Sequence, residues 1–429
     1  MRVEKLELQN FRAYERFTAE LHPELTLFVG ENGAGKSALL EAISVGVGSI
    51  LLGSPVSSPR SIHDDEVRRA VVEHNGGLPT LERRYPVVVT CHGVFDDQPL
   101  QWTRELRKKG GKTTWGGASQ LRDRAAMLFE GETRAPRTLP VIAFYSAFRM
   151  QQKRASELKA QGLGSRLNAY VDCLDPSSDY KLLSAWMRDL EQARLQRIAG
   201  GADAVLEGTV LDAVEAAVTQ CVPRASGLTY DLRYRELHLK FGDGRYLPFR
   251  MLSDGYRQFV GMVADIAWRT AQLNPHLGKD APKETSGVVL IDEIDLHLHP
   301  AWQRQALADL RCAFPRVQFV VTTHSPQVVS TANKDWMRLL QPDATKAVSV
   351  GFVEGRDSNA LLEDVFGVAS RPEWAEQALS RIAEAIEAAE LDDARERVAE
   401  LESKFGGGDA ALTAARWEIE LAEGPDDQH

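Results

Sequence analysis

Apolar and polar residues alternate over the first thirty positions (Val3, Leu6, Leu8, then Leu25-Thr26-Leu27-Phe28-Val29), which predicts strands ending at Gly30. From Lys36 the spacing becomes helical, with Leu39, Leu40 and Ile43 recurring on one face. Residues 53–80 are rich in Gly, Pro, Ser and His and read as loop with a short charged helix. Strands are expected at 85–90 and 101–106, with Lys108-Lys109-Gly110-Gly111-Lys112 turning the chain between Leu106 and Trp115. A short apolar strand follows at 140–147, and a mostly helical pattern runs from about 151 to 220. Alternation returns over 229–241 and ends in a Gly242-Asp243-Gly244 turn. Residues 288–291 and 318–321 are continuous apolar runs, the mark of parallel strands covered on both faces. Beyond 372 the chain is Ala/Glu/Arg-rich at helical spacing, broken at Gly406-Gly407-Gly408.

Two segments in this frame carry chemistry. Gly30-Glu31-Asn32-Gly33-Ala34-Gly35-Lys36-Ser37 fits G-x-x-x-x-G-K-[ST] between a strand and a helix. The glycines let backbone N–H groups turn toward phosphate oxygens, and the helix N-terminus adds positive potential. Lys36 is then placed for the β- and γ-phosphates of ATP and Ser37 for Mg²⁺. Asn32 belongs to the same cradle. The run Val288-Val289-Leu290-Ile291-Asp292-Glu293 is an apolar strand ending in two carboxylates. Asp292 can support Mg²⁺ there, and Glu293 can orient or deprotonate a water.

Three further segments resemble the motifs of ABC-type ATPases. Leu252-Ser253-Asp254-Gly255-Tyr256 is similar to their Leu-Ser-Gly-Gly-Gln signature, with Asp and Tyr replacing Gly and Gln, and it opens a helical stretch. The resemblance implies that Ser253 and Gly255 dock on nucleotide held by another subunit; Asp254 alternatively reads as a helix N-cap. Asp295-Leu296-His297-Leu298-His299-Pro300 resembles the D-loop, which implies Asp295 at the site, whereas a metal reading of His297-x-His299 lacks further ligands. Thr322-Thr323-His324-Ser325-Pro326 resembles the switch-histidine motif, which implies that His324 senses the γ-phosphate. Leu6 through Arg12 looks like the opening of RecF- and SMC-like ATPases, which implies that Arg12 approaches nucleotide. Gln98, Gln101 and Gln151 are unranked candidates for the Gln-loop.

The expected fold is therefore α/β: an ABC-type P-loop ATPase head, RecF/SMC-like, with a compact mixed insertion and a helical C-terminal region. The expected division is 1–50, N-terminal core with the phosphate loop; 51–225, insertion; 226–350, C-terminal core with the remaining motifs; and 351–429, acidic helical region. The insertion lacks the sustained heptads of a coiled-coil rod. The segment Val353-Glu354-Gly355-Arg356-Asp357-Ser358-Asn359, continuing to Val365-Phe366-Gly367-Val368, closely resembles the ATPase subunits of Septu-type and retron-associated anti-phage defence systems (PtuA-like). That resemblance implies a homodimer or higher oligomer, a partner HNH nuclease, and a retron reverse transcriptase with its nucleic acid. The competing expectation is a RecF-like repair ATPase acting directly on DNA. An ATPase-nuclease of the OLD type is a third, but the Asp-x-Asp of its TOPRIM domain is missing and Asp392-Asp393 reads as mid-helix.

Composition changes this picture in one respect. The formal charge of the 429 residues is −10, which on its face argues against nucleic acid. By segment, however, 101–170 sums to +9 and 351–429 to −13. Arg104, Arg107, Lys108, Lys109 and Lys112, interleaved with Trp102 and Trp115, form a candidate DNA contact, extended in sequence by Arg149, Lys153 and Arg154. The acidic tail, with Trp374, Leu379, Ile382, Ile386, Val398 and Leu401 at helical spacing, reads as a helical cap or as a docking surface for a basic partner. Four scattered cysteines (Cys91, Cys173, Cys221, Cys312) form no disulfide pattern, and no apolar run reaches the roughly 18 residues of a membrane span. A cytoplasmic protein without membrane contact is expected.

Overall fold

The alternation at the start of the chain becomes a hairpin, β1 (Arg2–Phe11) antiparallel to β2 (Tyr14–Glu20), with Val3, Leu6, Leu8 and Phe11 buried. The computed structural model describes residues 1–72, 79–130, 137–147, 165–175, 180–200, 210–351, 354–406 and 408–423. All six residues of β3 (Leu25–Gly30) are buried, and it feeds α1 (Lys36–Val47) through the glycine loop. Next come β4 (Arg69–Val72), β5 (Thr80–Arg83), β6 (Val87–Phe95) and β7 (Gln98–Leu106). Strands β2-β1-β6-β7 form one antiparallel sheet, while β4 pairs with β5 alone. The short charged helix expected within 53–80 is absent from the described residues. Arg69-Ala70-Val71-Val72 alternates exposed and half-buried positions, and its β-branched residues suit an extended chain.

α2 (Ser119–Glu130), β8 (Val141–Tyr145), α3 (Tyr180–Ala199) and α4 (Val210–Cys221) follow, so the helical reading of 151–220 holds where the chain is described. Residues 151–164, 176–179 and 201–209 lie outside the described residues. A small antiparallel sheet of β9 (Ala225–Asp231), β10 (Glu236–Phe241) and β11 (Tyr246–Pro248) precedes the long α5 (Asp254–Leu273) and short α6 (Ala281–Glu284). The remaining elements are β12 (Gly287–Ile291), α7 (Pro300–Gln303), α8 (Ala306–Ala313), β13 (Val317–Thr322), α9 (Pro326–Val329), β14 (Met337–Leu340), β15 (Val348–Ser349) and α10 (Ser358–Asp364).

The two apolar runs are the centre of a six-stranded sheet, ordered β15-β14-β3-β13-β12-β8 and parallel except for β15. Every residue of β3, β8, β12 and β13 is buried. The register aligns Tyr145 with Ile291 and Ile291 with Val321, so these strands end level. Ligands of such sheets collect beyond the carboxyl ends of the strands. The stretch Lys36–Gly53 does reach the length and apolar character of a membrane span, against the expectation above, but 78% of it is buried as a core helix.

The chain divides into two compact units, Met1–Leu361 and Leu362–His429, so residues 351–361 go with the first and not with the C-terminal region. The second is built of α11 (Glu373–Glu387), α12 (Leu391–Phe405) and α13 (Ala410–Glu423), packed through Ile382, Ala385, Val398, Leu401, Leu412 and Ile419. An unexpected break falls at Ala389, whose φ of 59° and the Glu390 N–H to Ala385 C=O bond (2.9 Å) end α11. Asp392 and Asp393 therefore sit in the first turn of α12, where the helix dipole favours carboxylates, and not mid-helix. Trp374 is exposed rather than core, touching Phe405 edge-on.

Candidate nucleotide site

The glycine loop closes at the carboxyl end of β3. Gly35 has a φ of 90°, and a Cβ there would lie 2.3 Å from Tyr14 Oη, so this position needs glycine on both counts. Tyr14 Oη in turn donates to Ala34 C=O (3.0 Å), fixing the loop from below. Lys36 is 5% exposed, and its Nζ donates to the carbonyls of Gly30 (2.9 Å) and Glu31 (2.8 Å). Burial drags its pKa down to about 8, with Asp292, Glu293 and Asp295 pulling the other way. Asn32, Gly33 and Ser37 are exposed at the loop's mouth. A desolvated ammonium tied to the loop carbonyls at the N-terminus of α1 suits a phosphate.

The acidic edge is held by Thr322 and Thr323, to which the switch-histidine motif gave no role of their own. Asp292 is 3% exposed; its N–H donates to Tyr145 C=O (2.8 Å) and its Oδ1 accepts from Thr322 Oγ1 (2.6 Å). The same Thr322 hydroxyl accepts the N–H of Glu293 (2.8 Å). Glu293 has a φ of 48°, a left-handed conformation that is uncommon outside glycine and marks functional sites when surrounding bonds impose it. Thr323 Oγ1 donates to Asp295 Oδ1 (2.5 Å), and the His324 N–H is directed at that oxygen (3.4 Å). His324 is half-buried, and burial and then Lys36 hold its pKa below the ordinary value despite Asp295 and Asp292. That shift favours the neutral imidazole. The structure thus gathers Lys36, Asp292, Glu293, Asp295 and His324 at one sheet edge. The missed signal was the level register of β12 and β13, which pairs Thr322 with the acidic strand end.

Ser253 caps α5, its Oγ accepting the Tyr256 N–H (3.4 Å), while Asp254 lies inside the first turn and pairs with Arg257. The N-cap alternative for Asp254 is therefore corrected: the serine takes that place. A Cβ on Gly255 would lie 2.0 Å from His297 C=O, so the signature turn rests against the loop after the acidic strand. His299 Nδ1 accepts the Ala301 N–H (3.3 Å) and caps α7, which accounts for this histidine without a metal.

Arg12, at the β1–β2 turn with a φ of 48°, forms an ion pair with Glu41 of α1, on the flank of the phosphate-loop helix. Gln98 and Gln101 lie on β7 of the antiparallel sheet, not at the edge of the parallel one, and Gln151 lies outside the described residues. Buried Ser146, the residue after β8 and beside Asp292 by register, occupies the edge instead. The basic segment needs a larger correction. Arg104 is 2% exposed, donates Nε to Thr114 C=O (2.9 Å), and is pushed down to about 10 by burial. Trp102 is buried, its indole N–H on Gly46 C=O (2.8 Å), and Arg107 pairs with Glu105. Exposed Lys108, Lys109 and Lys112 remain, with half-exposed Trp115 under Arg122 (4.5 Å). Alternation along β7 is the reason: every second residue turns inward. Arg149, Lys153 and Arg154 lie outside the described residues.

A family model described as an AAA domain matches residues 5–197, and a second AAA-domain model, whose description adds the AbiEii toxin and Type IV TA systems, matches 130–330. The chain is 25% identical to the Retron Ec83 probable ATPase of Escherichia coli over 100% of its own length and 88% of that protein's. It is 25% identical to the Septu protein PtuA of Bacillus mycoides over 76% of its own length, spanning 38% of that relative. The SMC head domain from Thermotoga maritima superposes with a TM-score of 0.44 and 16% identity, covering 82% of this chain and 100% of that one. With a phosphate loop, an acidic strand end and a signature-like helix in place, the chain matches AAA-domain models across residues 5–330 and is similar to the retron and Septu ATPases.

Proposed function

We propose that the chain binds Mg-ATP between two copies of itself, hydrolyses it, and through ATP occupancy controls a partner HNH nuclease in an anti-phage defence complex. The observation that carries the ATPase half is the buried Lys36 ammonium, set beneath the glycine loop and facing the Asp292–Glu293–Asp295 edge. Gly30, Asn32, Gly33, Gly35 and Lys36 hold the phosphates. Ser37 and Asp292 would hold Mg²⁺, which when bound offsets phosphate charge; the hard oxygen donors at both positions suit it. Glu293, fixed through its backbone by Thr322, orients the attacking water and takes its proton. His324 meets the γ-phosphate, and Ser253 with Gly255 reaches it from the second copy.

The defence half rests on the alignment with the retron Ec83 ATPase along the entire chain. Co-purification with the product of the neighbouring gene tests it. An HNH nuclease whose DNA cleavage changes with ATP is the expected result. DNA cleavage by the purified chain alone, or a chain with no nuclease partner that engages DNA ends directly, overturns it in favour of the OLD-like or RecF-like reading. A DNA-contact role for the Lys108–Lys112 turn makes its own prediction. Replacing Lys108, Lys109 and Lys112 by alanine should reduce the slope of log affinity against log salt by about 2.7 on duplex DNA, read from binding isotherms at several salt concentrations. An unchanged slope removes the turn from the interface.

A further inference from the structure

Tyr145 ends β8 and touches the site with its backbone alone, through the carbonyl that accepts the Asp292 N–H. Its side chain runs to the signature helix instead. Tyr145 Oη donates to Asp265 Oδ2 (2.7 Å), and the same oxygen accepts Arg269 Nε (2.8 Å) one turn further along α5. Arg269 also donates to the carbonyls of Ala169 and Val171 (3.2 Å to the latter). The junction is largely buried: Tyr145 is 5% exposed, Arg269 1% and the Asp265 side chain 13%. Burial and Asp265 raise the Tyr145 phenol far above its ordinary pKa, so it stays protonated and donates. A largely buried carboxylate shared by a phenol and a guanidinium holds the three groups to a narrow geometry, because displacing either donor leaves a buried polar group or charge poorly compensated.

The junction therefore joins three segments: the strand edge that holds Asp292, the turn at Arg166–Tyr170 with the residue after it, and the helix whose N-cap is Ser253. Asp265 lies about 18 Å along that helix from its cap, so a tilt of about 5° there would move Ser253 by about 1.6 Å. That is enough to make or break a hydrogen bond to a phosphate held by another copy. We propose that Tyr145, with Asp265 and Arg269, is a positioning device that sets the signature helix from the acidic strand edge, so that the site in one copy governs how Ser253 is presented to the other. The inference rests on the two-copy reading above.

The test is Tyr145→Phe, which keeps the ring and removes only the hydroxyl. In the wild-type background the expected result is an ATP Kd within about twofold, measured at concentrations where the chain is monomeric, with kcat lowered about tenfold by loss of one hydrogen bond to a charged acceptor. In a Glu293→Gln background, ATP-driven dimerisation should weaken by about the same factor. Asp265→Asn, which removes the charge with little change in shape, should give the same split with a larger loss. Unchanged kcat and dimerisation overturn the inference. So does an equal fall in ATP affinity and kcat, which would make Tyr145 a mere support of the strand edge. A Glu293→Gln parent that stays monomeric with ATP overturns the two-copy reading and this inference together; a parent that dimerises beside an unaffected Tyr145 variant overturns this inference alone.

Discussion

Lys36→Ala should reduce ATP turnover about 10³-fold and weaken ATP binding in step, read by single-turnover hydrolysis and by titration with ATP. The size of the effect follows from burial. Lys36 is 5% exposed and held by two backbone carbonyls, so its charge acts in a low dielectric where no water can substitute for it. Stability should not fall with it. The native protein bears the cost of burying this ammonium, which is what drags its pKa to about 8, and alanine removes that cost while favouring the helix it opens. A variant that loses activity only because it unfolds would contradict this account of the site; thermal unfolding separates the two.

Glu293→Gln should give the opposite pairing of binding and chemistry. Hydrolysis is expected to drop about 10²- to 10⁴-fold, the range for loss of a positioned general base, while ATP affinity is retained or improved. The amide preserves side-chain shape, and the backbone bond from the Glu293 N–H to Thr322 that fixes the left-handed turn does not involve the carboxylate. Rapid-quench hydrolysis alongside equilibrium ATP binding reads both. A matching loss of affinity would place Glu293 in binding rather than in proton transfer.

Much of this candidate site is legible in the sequence, for a physical reason. Gly35 and Lys36 carry their roles in local geometry: a left-handed turn, then a helix N-terminus. The apolar run 288–291 announces a covered parallel strand whose end must face the ligand edge. What stayed hidden depended on register. Thr322 and Thr323 look like ordinary strand-end residues until β13 lies beside β12 and brings their hydroxyls to Asp292 and Asp295. Tyr145 reads as one more aromatic in an apolar strand until α5 crosses it. Arg104 shows the opposite error. In a run of basic residues it counted as surface charge, but strand alternation turned it inward onto Thr114, while Arg107 and the lysines of the turn kept their exposure. The break at Ala389 escaped notice because alanine is a strong helix former; it is the bond from Glu390 back to Ala385 that ends the helix there.

In the proposed dimer, one copy supplies the phosphate loop and the other the signature helix to each ATP. Lys36→Ala and Ser253→Arg each destroy a different half, so each variant alone should be inactive. Mixed in equal amounts and allowed to exchange, they form a dimer with one complete site, made of Lys36 from one copy and Ser253 from the other. About a quarter of wild-type ATPase activity should be recovered, from half the dimers carrying one intact site of two. Activity of the mixture no greater than that of the two inactive variants measured separately would contradict it.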